Sequence, residues 1–270
     1  RAPGRRTGGY MVGMFPEGIA AAKKMGVNDA IVKRTQPDGV ALMVDADGSR
    51  KSGPGFADQP GSPETVLRGD IEAGLWQRVD GRIEVRFDTS PVGIVQDSAA
   101  AHVTLQVGST RDVYQESFDL VVGGDGLRST VRSMVFGPHE AFMKPMNAMI
   151  CAFQMSGQLP GFTEKESPII AEPKRALWIF AMEGTNPTAL FTYRTKNIDA
   201  QFTRPQAEVL REVYAGMSAG GAVPAAINEF EKAPQTLFDS VHQVRMPCWH
   251  EGRVVLVGDA AWCMTLYSGM

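Results

Sequence analysis

Two segments of this chain run as apolar strands and then break into glycine and aspartate, and they limit its fold more than any other feature. Val254-Val255-Leu256-Val257 stops at Gly258-Asp259-Ala260-Ala261. Phe118-Asp119-Leu120-Val121-Val122 stops at Gly123-Gly124-Asp125-Gly126 and runs on to Ser129 and Arg132. A short apolar run closed by a turn signal reads as a buried strand. Glycine after it lets a backbone approach a ligand closely, because no Cβ intervenes. The adjacent carboxylate then stands outside the carboxyl end of a strand, where open α/β sheets bind ligands. An anionic acceptor there suits hydroxyls better than phosphates, so a sugar or ribityl chain is the natural guest. Ser129 and Arg132 are three apart, on one helix face, and N–H groups at such a helix start can cradle a phosphate. Either segment alone is equally well a plain strand-to-helix turn, since Gly and Asp are default turn residues. Both in one chain favour a nucleotide-binding α/β fold.

Composition sets the outer bounds. At 270 residues and 43% hydrophobic, the chain can bury a substantial core. A formal net charge of −3 gives no basic footprint for nucleic acid. No apolar run approaches the roughly 18 residues a membrane-spanning helix requires. Cys151, Cys248 and Cys263 are odd in number and lack metal-ligand spacing. They fit buried thiols in a reducing cytoplasm better than a disulfide frame. The four scattered histidines, His102, His139, His242 and His250, argue against a metal site.

Periodicity places the remaining elements. The spacing predicts a helix over Pro16 to Met25 with Gly26 as its C-cap. Val40 to Val44 reads as extended, closed by the hairpin signal Asp45 to Gly48, with Lys51 to Pro63 a loop. Thr65 to Arg78 reads as a helix burying Leu67, Ile71 and Leu75. Ile83 to Phe87 alternates like a half-exposed strand, and Val92 to Val95 with Val103 to Val107 form a further pair. From Met143 to about Ser240 the texture changes to antiparallel strands, with helices over Pro205 to Ala215 and Val223 to Lys232. Trp178, Phe180, Phe191 and Tyr193 either line an aromatic pocket or pack a core, the core being favoured. Asp70 with Glu72, and Asp45 with Asp47, read as solvated charges. No Ser/His/Asp or paired-carboxylate constellation stands out.

Gly258-Asp259-Ala260-Ala261 and Gly124-Asp125-Gly126-x-x-Ser129-x-Val131-Arg132 resemble motifs of the FAD-dependent aromatic hydroxylases, the single-component flavoprotein monooxygenases typified by para-hydroxybenzoate hydroxylase. The resemblance implies that Asp259, with Gly258, meets the flavin ribityl chain. It associates Gly124, Asp125, Gly126 and Arg132 with FAD and the pyridine nucleotide. Leu67-Arg68-Gly69-Asp70-Ile71 resembles the family's Arg-x-x-Leu helix start, Ile71 replacing the Leu, which places Arg68 on the FAD pyrophosphate side. Ser90-Pro91-Val92-Gly93-Ile94 resembles the strand whose Val backbone touches adenine, here Val92. Arg1-Ala2 resembles the end of the family's second strand, making Arg1 a further cofactor contact.

The resemblance implies an α/β chain with a Rossmann-like, three-layer FAD-binding domain and an inserted, mainly antiparallel substrate domain. The implied boundaries are 1–142 and 241–270 for the FAD domain and 143–240 for the substrate domain. The implied activity is hydroxylation of an aromatic or polyketide-like small molecule with NAD(P)H and O2, through a flavin C4a-hydroperoxide. Cofactors carry such chemistry, so no catalytic side chain is assigned. The alternatives are another flavin oxidoreductase of this fold, a halogenase or reductase, or a remnant without FAD. The family's Gly-x-Gly-x-x-Gly turn is absent, and its glycine-rich helix would come after Met270. An internal fragment, inactive alone, is therefore expected. Trp262 stands where many members have His, and Leu266 where Pro is usual.

Overall fold

The computed structural model of the chain describes residues 4–5, 9–109 and 112–264. In chain order it forms β1 (Met11–Met14), α1 (Pro16–Lys24), β2 (Val40–Val44), β3 (Arg50–Ser52), β4 (Glu64–Leu67) and α2 (Arg68–Val79). Next come β5 (Thr89–Gln96), β6 (Ala101–Val107), β7 (Val113–Phe118), β8 (Val121–Gly123), α3 (Thr130–Val135) and α4 (His139–Phe142). Then come β9 (Met143–Gln154), β10 (Glu166–Glu172), β11 (Arg175–Phe180), β12 (Thr188–Arg194), α5 (Gln206–Val213) and α6 (Ala222–Lys232). The last are β13 (Thr236–Val244), β14 (His250–Glu251), β15 (Val254–Leu256) and α7 (Asp259–Trp262). Two compact units result. One holds Glu84–Met146 and the chain from Val241 onward; the other holds Asn147–Ser240 and the segment ending at Ile83.

The largest sheet has seven strands in the order β13-β9-β12-β11-β10-β2-β3. Its β9, β12, β11 and β10 pair antiparallel, as the alternating pattern predicts, while β2 joins β10 in parallel. Thus β2 and β3, which the sequence groups with residues 1–142, hydrogen bond into the sheet built from 143–244. Side chains alternate between sheet faces, so cross-strand partners Leu177, Phe191 and Cys151 share one face. They join Leu210, Val223 and Phe230 in the principal core. Phe191 meets Tyr214 edge-on at 4.9 Å and stacks near Phe153. The buried Tyr214 hydroxyl lies 2.9 and 2.8 Å from the carbonyl oxygens of Ala176 and Thr192 and donates its one proton between them. Burial pushes its pKa well up.

Trp178 and Phe180 occupy the opposite face, so the four aromatics singled out in the sequence cannot line one pocket. Phe191 and Tyr193 are core; Trp178 packs on Phe180, which meets Phe56, which meets Phe15. Gly13 makes room for this ladder, because a Cβ there would fall 2.2 Å from the Phe56 ring.

Two other expectations are corrected. Glu64–Leu67 is a strand paired with β1, and the helix begins only at Arg68. Its start is fixed by Asp70, which accepts the Leu67 N–H at 3.1 Å and takes Arg34 in a two-pronged ion pair at 2.6 and 2.9 Å. Leu75 is exposed, and the helix instead packs through Gly74, where a Cβ would sit 2.7 Å from Ile31. Residues 83–87 form no strand. Ile83, Val85 and Phe87 face solvent, while Arg86 bridges Glu84 and Glu116 at 2.6 and 2.7 Å.

In the other unit β5, β6 and β7 form an antiparallel meander, with Ile94 opposite Val103. The register shifts between Pro91 and Gly93, leaving Val92 without a cross-strand partner. The same unit holds a three-stranded sheet, β14-β15-β8, over a small core of Val131, Val254, Leu256, Ala260 and Ala261. Truncating the central aromatic of the large sheet tests the packing: Phe191→Ala should lower unfolding free energy by about 3–5 kcal/mol. Urea titration reads this directly, and an unmoved midpoint would contradict the stacked core.

Candidate functional site

Strands β8 and β15 are hydrogen-bonded neighbours and run parallel, Leu256 opposite Gly123. Their carboxyl ends therefore open on the same edge of the sheet. The Val257 N–H donates to the Gly123 carbonyl at 2.9 Å, so the Gly124-Asp125 and Gly258-Asp259 turns leave side by side. Close packing demands glycine at 123, where a Cβ would lie 2.7 Å from Leu256 and 2.9 Å from Val131. Gly126 and Gly258 have φ of +84° and +59°, a region in which only glycine is unstrained.

The two carboxylates are used differently. Asp125 turns back on its own loop. It accepts hydrogen bonds from the Ser129 hydroxyl (2.5 Å), the Thr130 N–H (2.7 Å) and hydroxyl (3.0 Å), and the Val131 N–H (3.1 Å). Ser129 in turn caps α3 through the Arg132 N–H at 2.9 Å. Partial burial raises the pKa of Asp125, but the bonds from Ser129, Val131 and Thr130 outweigh it and hold the group below its ordinary value. Asp259 faces solvent at the first position of α7. Burial, then the neighbouring Asp259 charge, push the Cys263 thiol up to about 11.

Arg132 joins the two turns. It is fully buried, and its Nη1 and Nη2 donate to the carbonyls of Ala260 (2.8 Å) and Leu127 (2.7 Å). Nη2 also lies 3.1 Å from His139 Nδ1. Arginine only donates, so that nitrogen is the acceptor in this contact. Arg132 Nε is buried with no hydrogen-bond partner among the described residues. Burial works against the guanidinium charge and Asp125 supports it, with the net shift downward.

An apolar cleft of about 460 Å³ is lined by Pro91, Ile94, Leu105, Leu120 and Val122 together with Gly124 and Asp125. Val92, next to Pro91, is exposed. Arg68 belongs to the other compact unit. It is the first residue of α2, exposed, with its N–H donating to the Tyr10 carbonyl at 3.1 Å. Arg1 and Leu266 lie outside the described residues. Within the unit that holds β8 and β15, the sheet edge offers glycine turns open to close backbone approach and the exposed carboxylate of Asp259 as a hydroxyl acceptor.

Sequence reasoning misses one constellation. His102 Nε2 lies 2.9 Å from Asp97 and Nδ1 lies 2.8 Å from the Ser117 hydroxyl. His102 and Ser117 are cross-strand partners on β6 and β7, and Asp97 also accepts the Ala99 and Ala100 N–H groups. The His102 bond, then those backbone bonds, hold Asp97 at about 2. This arrangement pins the β5–β6 turn to the sheet. Among the described residues no cluster of three or more His, Cys, Asp or Glu could hold a metal, and no helix is long and apolar enough to cross a membrane.

The capping role of Asp125 has a pH signature. Asp125→Ala should lower stability by about 1–2 kcal/mol at pH 7. Because the folded pKa is depressed, that contribution is present above the unfolded value near 3.9 and is lost as pH falls through the folded one. Urea titrations of both proteins at pH 7 and pH 3 should show the gap narrowing in acid; a constant gap would assign the effect elsewhere.

Comparison with known proteins agrees with this geometry. An FAD binding domain family matches residues 16–270. The chain is 28% identical over 278 residues to the uncharacterized protein Rv1260 of Mycobacterium tuberculosis, spanning all of this chain and 72% of that protein. It is 26% identical over 289 residues to the FAD-dependent monooxygenase asL4 of Sarocladium schorii, spanning all of this chain and 65% of that one. Among solved structures, tetracycline destructase Tet(51) superposes with a TM-score of 0.76 at 25% identity, over 100% of this chain and 69% of that one. Klebsiella pneumoniae HpxO, complexed with FAD and uric acid, superposes at 0.70 with 16% identity, over 99% and 67%. The fold is the α/β fold of FAD-binding hydroxylases, and the chain belongs to the FAD binding domain family of flavin-dependent monooxygenases.

Proposed function

We propose that this chain serves an NAD(P)H-dependent hydroxylation of an aromatic or polyketide-like small molecule. The observation that carries the reading is the parallel pairing of β8 with β15, which sets two glycine–aspartate turns beside each other at one sheet edge. FAD, when bound, supplies the oxygen chemistry after reduction by the pyridine nucleotide. The chain's own residues hold and orient it. Asp259 accepts from ribityl hydroxyls, Gly258 admits the backbone approach, and Arg68 meets the pyrophosphate. Val92 lies against adenine, and Arg1 extends the adenosine contact.

Gly124, Gly126, Asp125 and Arg132 act here by shape. The Asp125 carboxylate is already engaged by four donors, so its turn offers backbone to the ligand while its side chain keeps that backbone in place. In this reading residues 1–142 and 241–270 serve FAD and 143–240 serve the substrate, with β2 and β3 completing the substrate sheet. Of the three thiols only Cys151 is buried as expected, while Cys248 is exposed and Cys263 half-buried; unpaired thiols support a reducing, cytoplasmic setting.

A ligand that binds only the folded state raises its unfolding temperature, so FAD should raise that of the full-length gene product carrying these residues and support its NAD(P)H oxidation under air, while the 270 residues alone should hold FAD weakly. Asp259→Ala should weaken FAD about tenfold, the worth of one charged hydrogen bond. Arg68→Ala should weaken it by a similar factor and reduce its salt dependence. An FAD-independent melting curve together with no flavin-dependent NAD(P)H oxidation would sink the reading.

A further inference from the structure

Trp249 and Trp262 form an aromatic pair at the surface. Their ring centroids lie 4.8 Å apart at 57°, yet the two residues remain 48% and 43% exposed. Tryptophan is large and normally well buried. Leaving so much of two indoles in water forgoes part of the gain their burial would give. The contrast with Phe153, Phe191, Tyr193 and Tyr214, all nearly inaccessible, is sharp.

Backbone bonds hold the pair beside the Gly258-Asp259 turn. The Leu256 N–H donates to the Trp249 carbonyl at 2.8 Å, tying that residue to β15. The Trp262 N–H donates to the Gly258 carbonyl at 3.0 Å, closing the single turn of α7. Residues three apart share a helix face, so the Trp262 ring and the Asp259 carboxylate stand on one side of that turn. A hydroxyl acceptor with an electron-rich plane next to it matches a ligand built as a polyhydroxyl chain ending in a flat, electron-poor ring.

We propose that Trp262, braced by Trp249, is a stacking platform for the isoalloxazine ring of the flavin. The inference rests on the FAD reading above and adds to it a positioning residue. Trp262 bears on the ring, and Trp249, in contact with it at a 57° tilt, fixes its orientation. Gly258, whose added Cβ would meet nothing within 4 Å, leaves open space at the turn that carries the ribityl contact.

The test compares the full-length gene product carrying these residues, as parent, with its Trp262→Leu, Trp262→Phe and Trp249→Leu variants. Equilibrium dialysis gives affinities for FAD and for ADP-ribose, which shares the adenine and pyrophosphate but has no flavin ring. Emission of bound FAD reports stacking, because an adjacent indole quenches flavin fluorescence. Trp262→Leu should weaken FAD by about tenfold, the range of one ring stacked on an aromatic side chain. It should brighten the bound flavin and leave ADP-ribose affinity unchanged. Trp262→Phe should recover most of the affinity but little of the quenching, and Trp249→Leu should fall between parent and Trp262→Leu. Unfolding temperatures of the flavin-free variants should match the parent, separating loss of stacking from loss of fold. Equal FAD affinity and equal emission in parent and Trp262→Leu would overturn this inference alone. Parallel losses for FAD and ADP-ribose would also overturn it, by showing a structural role. No FAD binding by the parent would overturn both readings together.

Discussion

The buried guanidinium of Arg132 is the interaction on which the site geometry depends. A cation withdrawn from water is tolerated only when its donors are matched, and removing one partner of a buried charge is far more harmful than never burying it. Here the partners are main-chain carbonyls from two segments more than a hundred residues apart, Leu127 and Ala260. The carboxylate of Asp125 cannot take their place, since it is committed to α3. The glycine packing at 123 and the cap at Ser129 complete a frame in which two distant sequences become one edge. Asp259 is exposed, with the Cys263 thiol against it, while Asp125 is held by four donors of its own loop.

That division of labour is only half legible in the sequence. The apolar runs ending in glycine mark both strands and both turns, because a buried strand and a positive-φ turn each leave a compositional trace. Which carboxylate is taken up by its own loop is a question of side-chain direction, and the identical Gly-Asp dipeptides carry no information on it. Periodicity misplaces the helix start at Arg68 for a similar reason. Leu67, Ile71 and Leu75 satisfy a helical period, but Val66 and Leu67 are claimed by pairing with β1, a strand far back along the chain. Residues 83–87 alternate as a strand would, yet among the described residues they join no sheet, and Arg86 settles between two glutamates instead.

The large sheet is more transparent. Alternation identifies its antiparallel strands, and the period of two sorts its aromatics without further information once the strand limits are known. Phe191 and Tyr193 fall on the helix-covered face, and Trp178 and Phe180 on the other. The hairpin β2–β3 is also visible from its Asp-Gly turn. Its destination is not, because parallel pairing with β10 is decided by partners that no local pattern names.

That parallel pairing bears on how the chain reaches its native state. Val40–Val44 rests against Glu166–Glu172, so the ladder closes a loop of more than a hundred residues. Long-range pairings delay folding, since the entropy of loop closure must be overcome before the contact contributes. On a ribosome the hairpin therefore emerges with one edge unfilled and waits while the whole β5–β6–β7 meander is made. Until β10 is made, the β2 edge that will pair with it carries unpaired amides, the kind of open strand edge that chaperones cover during synthesis.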